Sequence, residues 1–243
     1  MELEGKTAIV TGASSGIGAA TVRKLREAGV RVAGGARRAE RIDADLALPL
    51  DVMGEESCAA FVTRAAAEFG GIDILFNNAG LALGRYPFWE SNAEDERIVM
   101  RTNVEGTMRM TRLTLPHIRD EGHILCMGSV AGRQAYQDAA SYVAAKFAVR
   151  GFVYALREDL LGRPIRISTV DAGLTETEFS LVRFKGDEEK AKTVYAGVDP
   201  LTPDDVADCV LFAVTRPLHV NVDEIVVKAL QQSSGGRIVR REV

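Results

Sequence analysis

The stretch Thr7-Ala8-Ile9-Val10-Thr11-Gly12-Ala13-Ser14-Ser15-Gly16-Ile17-Gly18 decides the fold. A short apolar, β-branched run leads into Gly12-x-x-x-Gly16-x-Gly18, and a helical pattern opens at Gly16. Strand, glycine turn and helix in that order let backbone approach a pyrophosphate lying at the positive end of the helix. Gly12, Ser14, Ser15, Gly16, Ile17 and Gly18 are therefore candidate contacts for a phosphate-bearing cofactor. A glycine triplet alone marks no more than a tight turn, but the flanking strand and helix make phosphate binding the better reading.

Working outward, short β-branched runs alternate with longer helical patterns, the arrangement that builds a parallel sheet covered on both faces. The expected strands are Thr7–Thr11, Arg31–Ala36, Ala47–Leu50, Ile72–Phe76, His123–Met127, Ile165–Val170 and Glu224–Val227. The expected helices are Gly16–Ala28, Glu55–Phe69, Ala93–Ile118, Ala139–Leu161 and Pro203–Thr215. The fold class is thus α/β: one doubly wound, seven-stranded Rossmann domain over residues 1–243. The segment Arg37–Pro49 is too short for a full helical crossover, and Thr175–Pro200 is charged with little periodicity. A long insertion at a strand's carboxyl end commonly serves as a lid, so about 175–200 is expected to be a mobile substrate cover.

In dinucleotide folds, a carboxylate about twenty residues after the glycines bonds the ribose 2′-hydroxyl, whereas arginine accommodates a 2′-phosphate. Here the second strand ends in Ala36-Arg37-Arg38. Two guanidiniums and no carboxylate favour NADP(H), because arginine pairs bidentately with phosphate. The alternative is a solvated pair capping a short helix.

Tyr142 and Lys146 lie four residues apart in a helical pattern and share one face. A phenol with an ordinary pKa of about 10 is a poor base at neutral pH, and a nearby ammonium is expected to lower it. Ser129 follows the fifth strand at its carboxyl end, where its hydroxyl can hold a carbonyl oxygen. Tyr86, Tyr136, Tyr154 and Tyr195 have no lysine four residues later. His117, His123 and His219 form no metal or nucleophile pattern and read as structural.

Composition bounds the remaining classes. With 47% hydrophobic and 26% charged residues and a net charge of -4, the chain reads as globular, with scattered cations and no nucleic-acid footprint. Cys58, Cys126 and Cys209 make neither a disulfide framework nor a zinc pattern, so no metal is expected. No membrane-length apolar run and no leader pattern is seen, which makes the cytoplasm the expected compartment.

Together, Thr11-Gly12-x-x-x-Gly16-Ile17-Gly18, Asn77-Asn78-Ala79-Gly80, Asn103, Ser129 and Tyr142-x-x-x-Lys146 resemble the short-chain dehydrogenase/reductase family over nearly the whole chain. The resemblance implies a catalytic set of Asn103, Ser129, Tyr142 and Lys146, with Asn103 holding a relay water through Lys146. It implies further that Tyr142 and Lys146 face the cofactor, Lys146 holding the nicotinamide ribose. Asp51 and Val52 would contact the adenine. Asn78, Ala79 and Gly80 would flank the cofactor pocket, and Ala172, Gly173 and Thr175 would lie at the nicotinamide. A closer likeness, to the NADP-dependent 3-hydroxy acid dehydrogenases, is carried by Asn77–Gly84, Thr177–Asp187, Leu201–Val206 and His219–Asn221. That group is typically tetrameric, so a homotetramer is implied, with a dimer as the alternative. A small acid as substrate would need a cation, and Arg183, Lys185 or Arg133 is the candidate.

Three stretches depart from the family pattern. Asp171-Ala172-Gly173 stands where Pro-Gly is usual, the Arg37–Pro49 crossover is abbreviated, and Gly235–Arg241 does not match the closer likeness. The sequence therefore reads as an NADP(H)-dependent oxidoreductase acting on a small-molecule alcohol or carbonyl. The alternatives are a reductase of larger ketones or aldehydes and a non-catalytic dinucleotide sensor.

Overall fold

The computed structural model describes residues 2–241. Its single sheet has seven parallel strands in the order β3-β2-β1-β4-β5-β6-β7. These are β1 (Thr7–Thr11), β2 (Arg31–Ala36), β3 (Leu46–Pro49), β4 (Ile72–Asn77), β5 (Ile118–Met127), β6 (Arg166–Ala172) and β7 (Glu224–Val227). β1, β4 and β6 are buried at every position, which explains why the centres of β1 and β4 read as apolar runs rather than alternating ones; β6 buries Arg166, Ser168, Thr169 and Asp171 among its apolar residues. One apolar layer joins Phe61 and Phe69 of α2 (Glu55–Phe69) to Met110 of α4 (Gly106–Thr114) and Val149 and Val153 of α5 (Ala140–Asp159). On the opposite face Val22 and Leu25 of α1 (Gly16–Glu27) pack with Val206 and Val210 of α8 (Pro203–Thr215).

The order reverses between β1 and β4, so the carboxyl ends of these strands open the crevice where ligands bind in sheets of this class. The abbreviated crossover contains a single 3₁₀ turn, Ala39–Arg41. The stretch expected to be one long helix over 93–118 is helical from Ala93 to His117 but not uniformly α-helical. It contains α3 (Ala93–Met100), a π-helical turn (Arg101–Glu105), α4 and a 3₁₀ turn (Leu115–His117), after which β5 begins at Ile118. Pro116 lacks the amide hydrogen that would continue the helix, which accounts for the end of it. The expected cover contains α6 (Phe179–Arg183) and α7 (Glu188–Thr193).

β6 runs two residues further than its periodicity suggests. Ala172 and Asp171 pair in register with Val227 and Val226 of β7. Asp171, 2% exposed, accepts from Arg133 Nε at 2.6 Å, and the same guanidinium lies 2.6 Å from Glu224 Oε2. Burial pushes the Asp171 carboxyl up, and the Arg133 hydrogen bond pulls against that rise. Glu224 Oε1 also accepts from Arg150 Nε at 2.9 Å, so the clamp joins the turn after β5 to β6, β7 and α5. His123 is fully buried, its Nε2 2.7 Å from Ser168 Oγ, and burial drives its pKa well below the ordinary value; it is a structural residue.

Breaking a buried ion pair from one side leaves an uncompensated charge at a cost of about 3–5 kcal/mol. Urea unfolding of Arg133→Ala should show a loss of that size, and the double variant Arg133→Ala with Asp171→Ala should recover much of it. Additive losses would show that the two charges do not stabilise the fold as a pair.

Candidate active site

A cavity of about 770 Å³ lies at the carboxyl edge, lined by the ends of β1, β2, β4, β5 and β6 and by residues of the expected cover, Thr175 to Tyr195. Gly12, Ser14, Ser15, Gly16 and Ile17 form its floor. Gly18, the third residue of α1, lies under the loop: a methyl group there would sit 2.2 Å from Gly12 O. Glycine is required by that approach. Asn78 braces the same loop, donating from Nδ2 to Thr11 O at 2.9 Å, while Thr11 Oγ1 accepts from the amides of Asn78 and Ala79.

The amino end of α1 has neither a side-chain cap nor an acidic residue in its first turn. Its orphan amides and dipole face the cavity uncompensated, which suits a pyrophosphate. Arg37 and Arg38 both line the cavity. Arg38 is paired with the cover: its Nη2 donates to Glu178 Oε2 at 2.6 Å and to Ser15 Oγ at 3.3 Å. Arg37 is exposed at the mouth. Asp51 and Val52 line the same side, with Asp51 Oδ1 accepting from Met53 N at 3.0 Å. The residues present thus fit a dinucleotide carrying a 2′-phosphate.

At the other end, Ser129, Tyr142 and Lys146 all line the cavity and all are buried. Ser129 caps a 3₁₀ turn, Val130–Gly132, its Oγ accepting from Ala131 N at 3.1 Å. Lys146 Nζ donates to Met127 O at 2.8 Å and lies 5.8 Å from the Tyr142 ring centroid. Burial brings the Lys146 ammonium down to about 8, opposed by the Asp171 carboxylate. Burial likewise pushes the Tyr142 phenol up, while the Ser129 hydroxyl and Arg183 pull against the rise. The sequence points to Lys146 as the group that lowers the tyrosine; here burial acts in the opposite direction, and Arg183 is the cation that opposes it.

Asn103 sits in the π-helical turn rather than in a regular helix. Its Nδ2 donates to Val99 O at 2.8 Å and to Leu81 O at 2.7 Å, tying the turn to the loop after β4. Its Oδ1 is buried with no hydrogen-bond partner among the described residues. Gly80 lies between this oxygen and the lysine, since a methyl group there would be 2.6 Å from Asn103 Oδ1 and 3.7 Å from Lys146 Nζ. π-turns of this kind recur at functional sites, where they re-aim backbone and side-chain groups.

Of the three candidate cations for an acid, two are engaged elsewhere and lie outside the cavity lining. Arg133 serves the Asp171–Glu224 clamp, and Lys185 Nζ is 2.7 Å from Asp95 Oδ2. Arg183 lines the cavity. Its Nε donates to Gly84 O at 3.1 Å and its Nη1 to Tyr136 Oη at 3.2 Å, while its buried Nη2 has no partner among the described residues. The guanidinium lies 5.7 Å from the Tyr142 ring centroid. Tyr136 and Phe179, whose ring meets Tyr142 edge-on at 5.5 Å, were not legible as site residues because neither has a partner at a fixed spacing.

Where Pro-Gly was expected, Ala172 and Gly173 line the cavity with Thr175. Gly173 N donates to Val227 O at 2.8 Å and Leu174 N to Gln232 Oε1 at 2.7 Å. The turn is therefore held by hydrogen bonds from β7 and Gln232 in place of a proline ring. Among the described residues no group of three or more His, Cys, Asp or Glu side chains is placed to hold a metal ion.

The model of the short chain dehydrogenase family matches residues 6–187. An NADP-dependent 3-hydroxy acid dehydrogenase of Schizosaccharomyces pombe is 40% identical, the match covering 99% of this chain and 98% of that protein. A serine 3-dehydrogenase of Agrobacterium fabrum is 35% identical over 97% of this chain and 98% of its own length. The closed form of a serine dehydrogenase complexed with NADP+ superposes with a TM-score of 0.91 at 38% identity, covering 97% of this chain and all of that one. Motif, topology and relatives agree over the same residues, and the chain belongs to the short-chain dehydrogenase family.

Proposed function

We propose that this chain is an NADP(H)-dependent dehydrogenase of small 3-hydroxy acids. The observation that carries the substrate class is Arg183, a cavity-lining guanidinium beside Tyr142 with one buried nitrogen unpartnered among the described residues. A carboxylate bound in the cavity would pair with this guanidinium, and charged pairs of this kind are the strong ones. Arg37 and Arg38 would hold the 2′-phosphate, with Arg38 exchanging Glu178 for it, and the amides at the start of α1 would hold the pyrophosphate. Asp51 and Val52 would border the adenine, and Asn78 to Gly80 and Ala172 to Thr175 the nicotinamide half. The bound dinucleotide supplies the hydride acceptor in oxidation and the donor in reduction.

The chain's own residues handle the oxygen and its proton. Ser129 Oγ donates a hydrogen bond to the substrate oxygen and orients it. Tyr142 gives its proton to that oxygen in reduction, a role its buried neutral phenol already suits, and takes one in oxidation. Lys146 stabilises the resulting phenolate while protonated, a condition met below about pH 8 and lost above it. Asn103 Oδ1, buried beside Gly80 with no partner among the described residues, would accept from a relay water. Residues 175–200 act as the cover, closing through Glu178, Phe179 and Arg183.

The likeness to tetrameric enzymes is supported by large apolar side chains left exposed: Trp89 and Phe147, which line one depression, and Met108, Phe212, Leu218, Val226 and Leu230. Two separate self-complementary faces would build a homotetramer, and one alone a dimer. Among the described residues no helix is long and apolar enough to cross a membrane, and the three cysteines are free, which suits the cytoplasm.

Replacing Tyr142 by Phe should leave NADPH binding in place while turnover falls by about 10²–10⁴, the contribution of a positioned acid or base; retained turnover would sink this assignment. Arg183→Ala should reduce kcat/KM for a 3-hydroxy acid by about 10–100-fold, the worth of a hydrogen bond to a charged group, and spare the corresponding uncharged alcohol. An equal loss on both substrates would remove Arg183 from carboxylate recognition.

A further inference from the structure

Residues 231–241, part of which departs from the closer likeness, fold into a hairpin that docks on the cover and faces the cavity. Gln232 and Ile238 pair antiparallel, and Val239 N donates to Gln231 O at 2.9 Å. The hairpin grips the far end of α7. Arg240 donates to Ala196 O at 2.5 Å and to Val194 O at 3.0 Å, and Arg241 N donates to Gly197 O at 2.9 Å. Gln231 bridges to the same loop, giving a bond from Nε2 to Gly197 O at 3.0 Å and taking one from Asp199 N at 2.8 Å. Gly197 has φ +69, and a methyl group on it would lie 2.5 Å from Arg241 O, so the two backbones meet at a residue that must be glycine.

The other side of the hairpin reaches the chemistry. Gln232 seals the turn after β6 through Leu174 N, and Gly235, Gly236, Ile238 and Arg240 line the cavity. A methyl group on Gly236 would come within 2.8 Å of Tyr136 Cβ, and the Tyr136 hydroxyl accepts from Arg183. The hairpin therefore stands at the end of the cavity assigned to the acid.

We propose that the hairpin 231–241 is a specificity-determining wall of the substrate cavity and the latch that holds the cover over it. Arg240 and Gly197 set the latch, and Ile238 sets how long an acid the cavity accepts. This rests on the dehydrogenase reading for its substrate and on the hairpin's contacts alone for its latch. Arg240 is a positioning residue, since it acts through the carbonyls that end α7.

The test is amide hydrogen exchange over 193–199 in Arg240→Ala and Gly197→Ala, measured on the full chain with NADP+ present and no substrate. Gly197 lines no part of the cavity, so its variant disturbs the latch without altering the wall directly. Both should exchange about tenfold faster in this segment, as expected for lost charge-assisted bonds or a displaced hairpin, with a single cooperative unfolding transition retained and its midpoint lowered by only a few degrees, about 2–4 °C per kcal/mol lost. KM for the acid should rise with kcat less affected and NADP+ affinity unchanged. Unchanged exchange in both variants would overturn the latch. Ile238→Ala should raise kcat/KM for a longer 3-hydroxy acid relative to a three-carbon one, and an unchanged ratio would overturn the wall. Wild-type enzyme inert on every 3-hydroxy acid would instead refute the substrate reading, and exchange would still decide the latch.

Discussion

A parallel sheet leaves backbone groups at the carboxyl ends of its strands without ladder partners, and what satisfies them determines this molecule's active edge. Lys146 donates to Met127 O at the end of β5, and Asn78 donates to Thr11 O at the end of β1. Gln232 accepts from Leu174 N just beyond β6. Buried backbone groups left unpaired are costly, so each of these bonds fixes a side chain in place. The Lys146 bond matters most. It anchors a buried ammonium on α5 to the strand that leads into Ser129, and so holds base, cation and hydroxyl in one low-dielectric chamber.

That chamber explains the balance of charge at the site. Burial holds Tyr142 neutral and softens Lys146, while Asp171, two residues before Gly173, works to keep the lysine charged. Asp171 is in turn held by Arg133, so the residue departing from the usual Pro-Gly turn belongs to a region with its own support. The turn has no proline and is secured by a strand extension and a glutamine.

The features legible in the sequence share one property: their information is local. The strand, glycine turn and helix from Thr7 onward, the helical spacing of Tyr142 and Lys146, and the apolar runs of β1 and β4 can all be read from neighbours within a few residues. The π-turn at Arg101–Glu105 was not legible, because no periodicity distinguishes it from the helix around it. Tyr136, Arg183 and Gln232 meet across separations of 47 and 58 residues in sequence with their partners, contacts that only the tertiary fold creates. Arg133, Lys185 and Arg183 were indistinguishable as cations until burial and pairing removed two of them.

The most direct measurement of the central claim follows the absorbance of the reduced nicotinamide while the wild-type chain is offered a panel of 3-hydroxy acids and their uncharged alcohol analogues, each with NADP+ and NAD+. Reduced cofactor should accumulate with NADP+ and a small 3-hydroxy acid, and kcat/KM should be at least about tenfold lower with NAD+ or with the uncharged analogue, matching the loss of one charged hydrogen bond. Turnover of the uncharged alcohols with NAD+ alone, and none of the acids with NADP+, would contradict it.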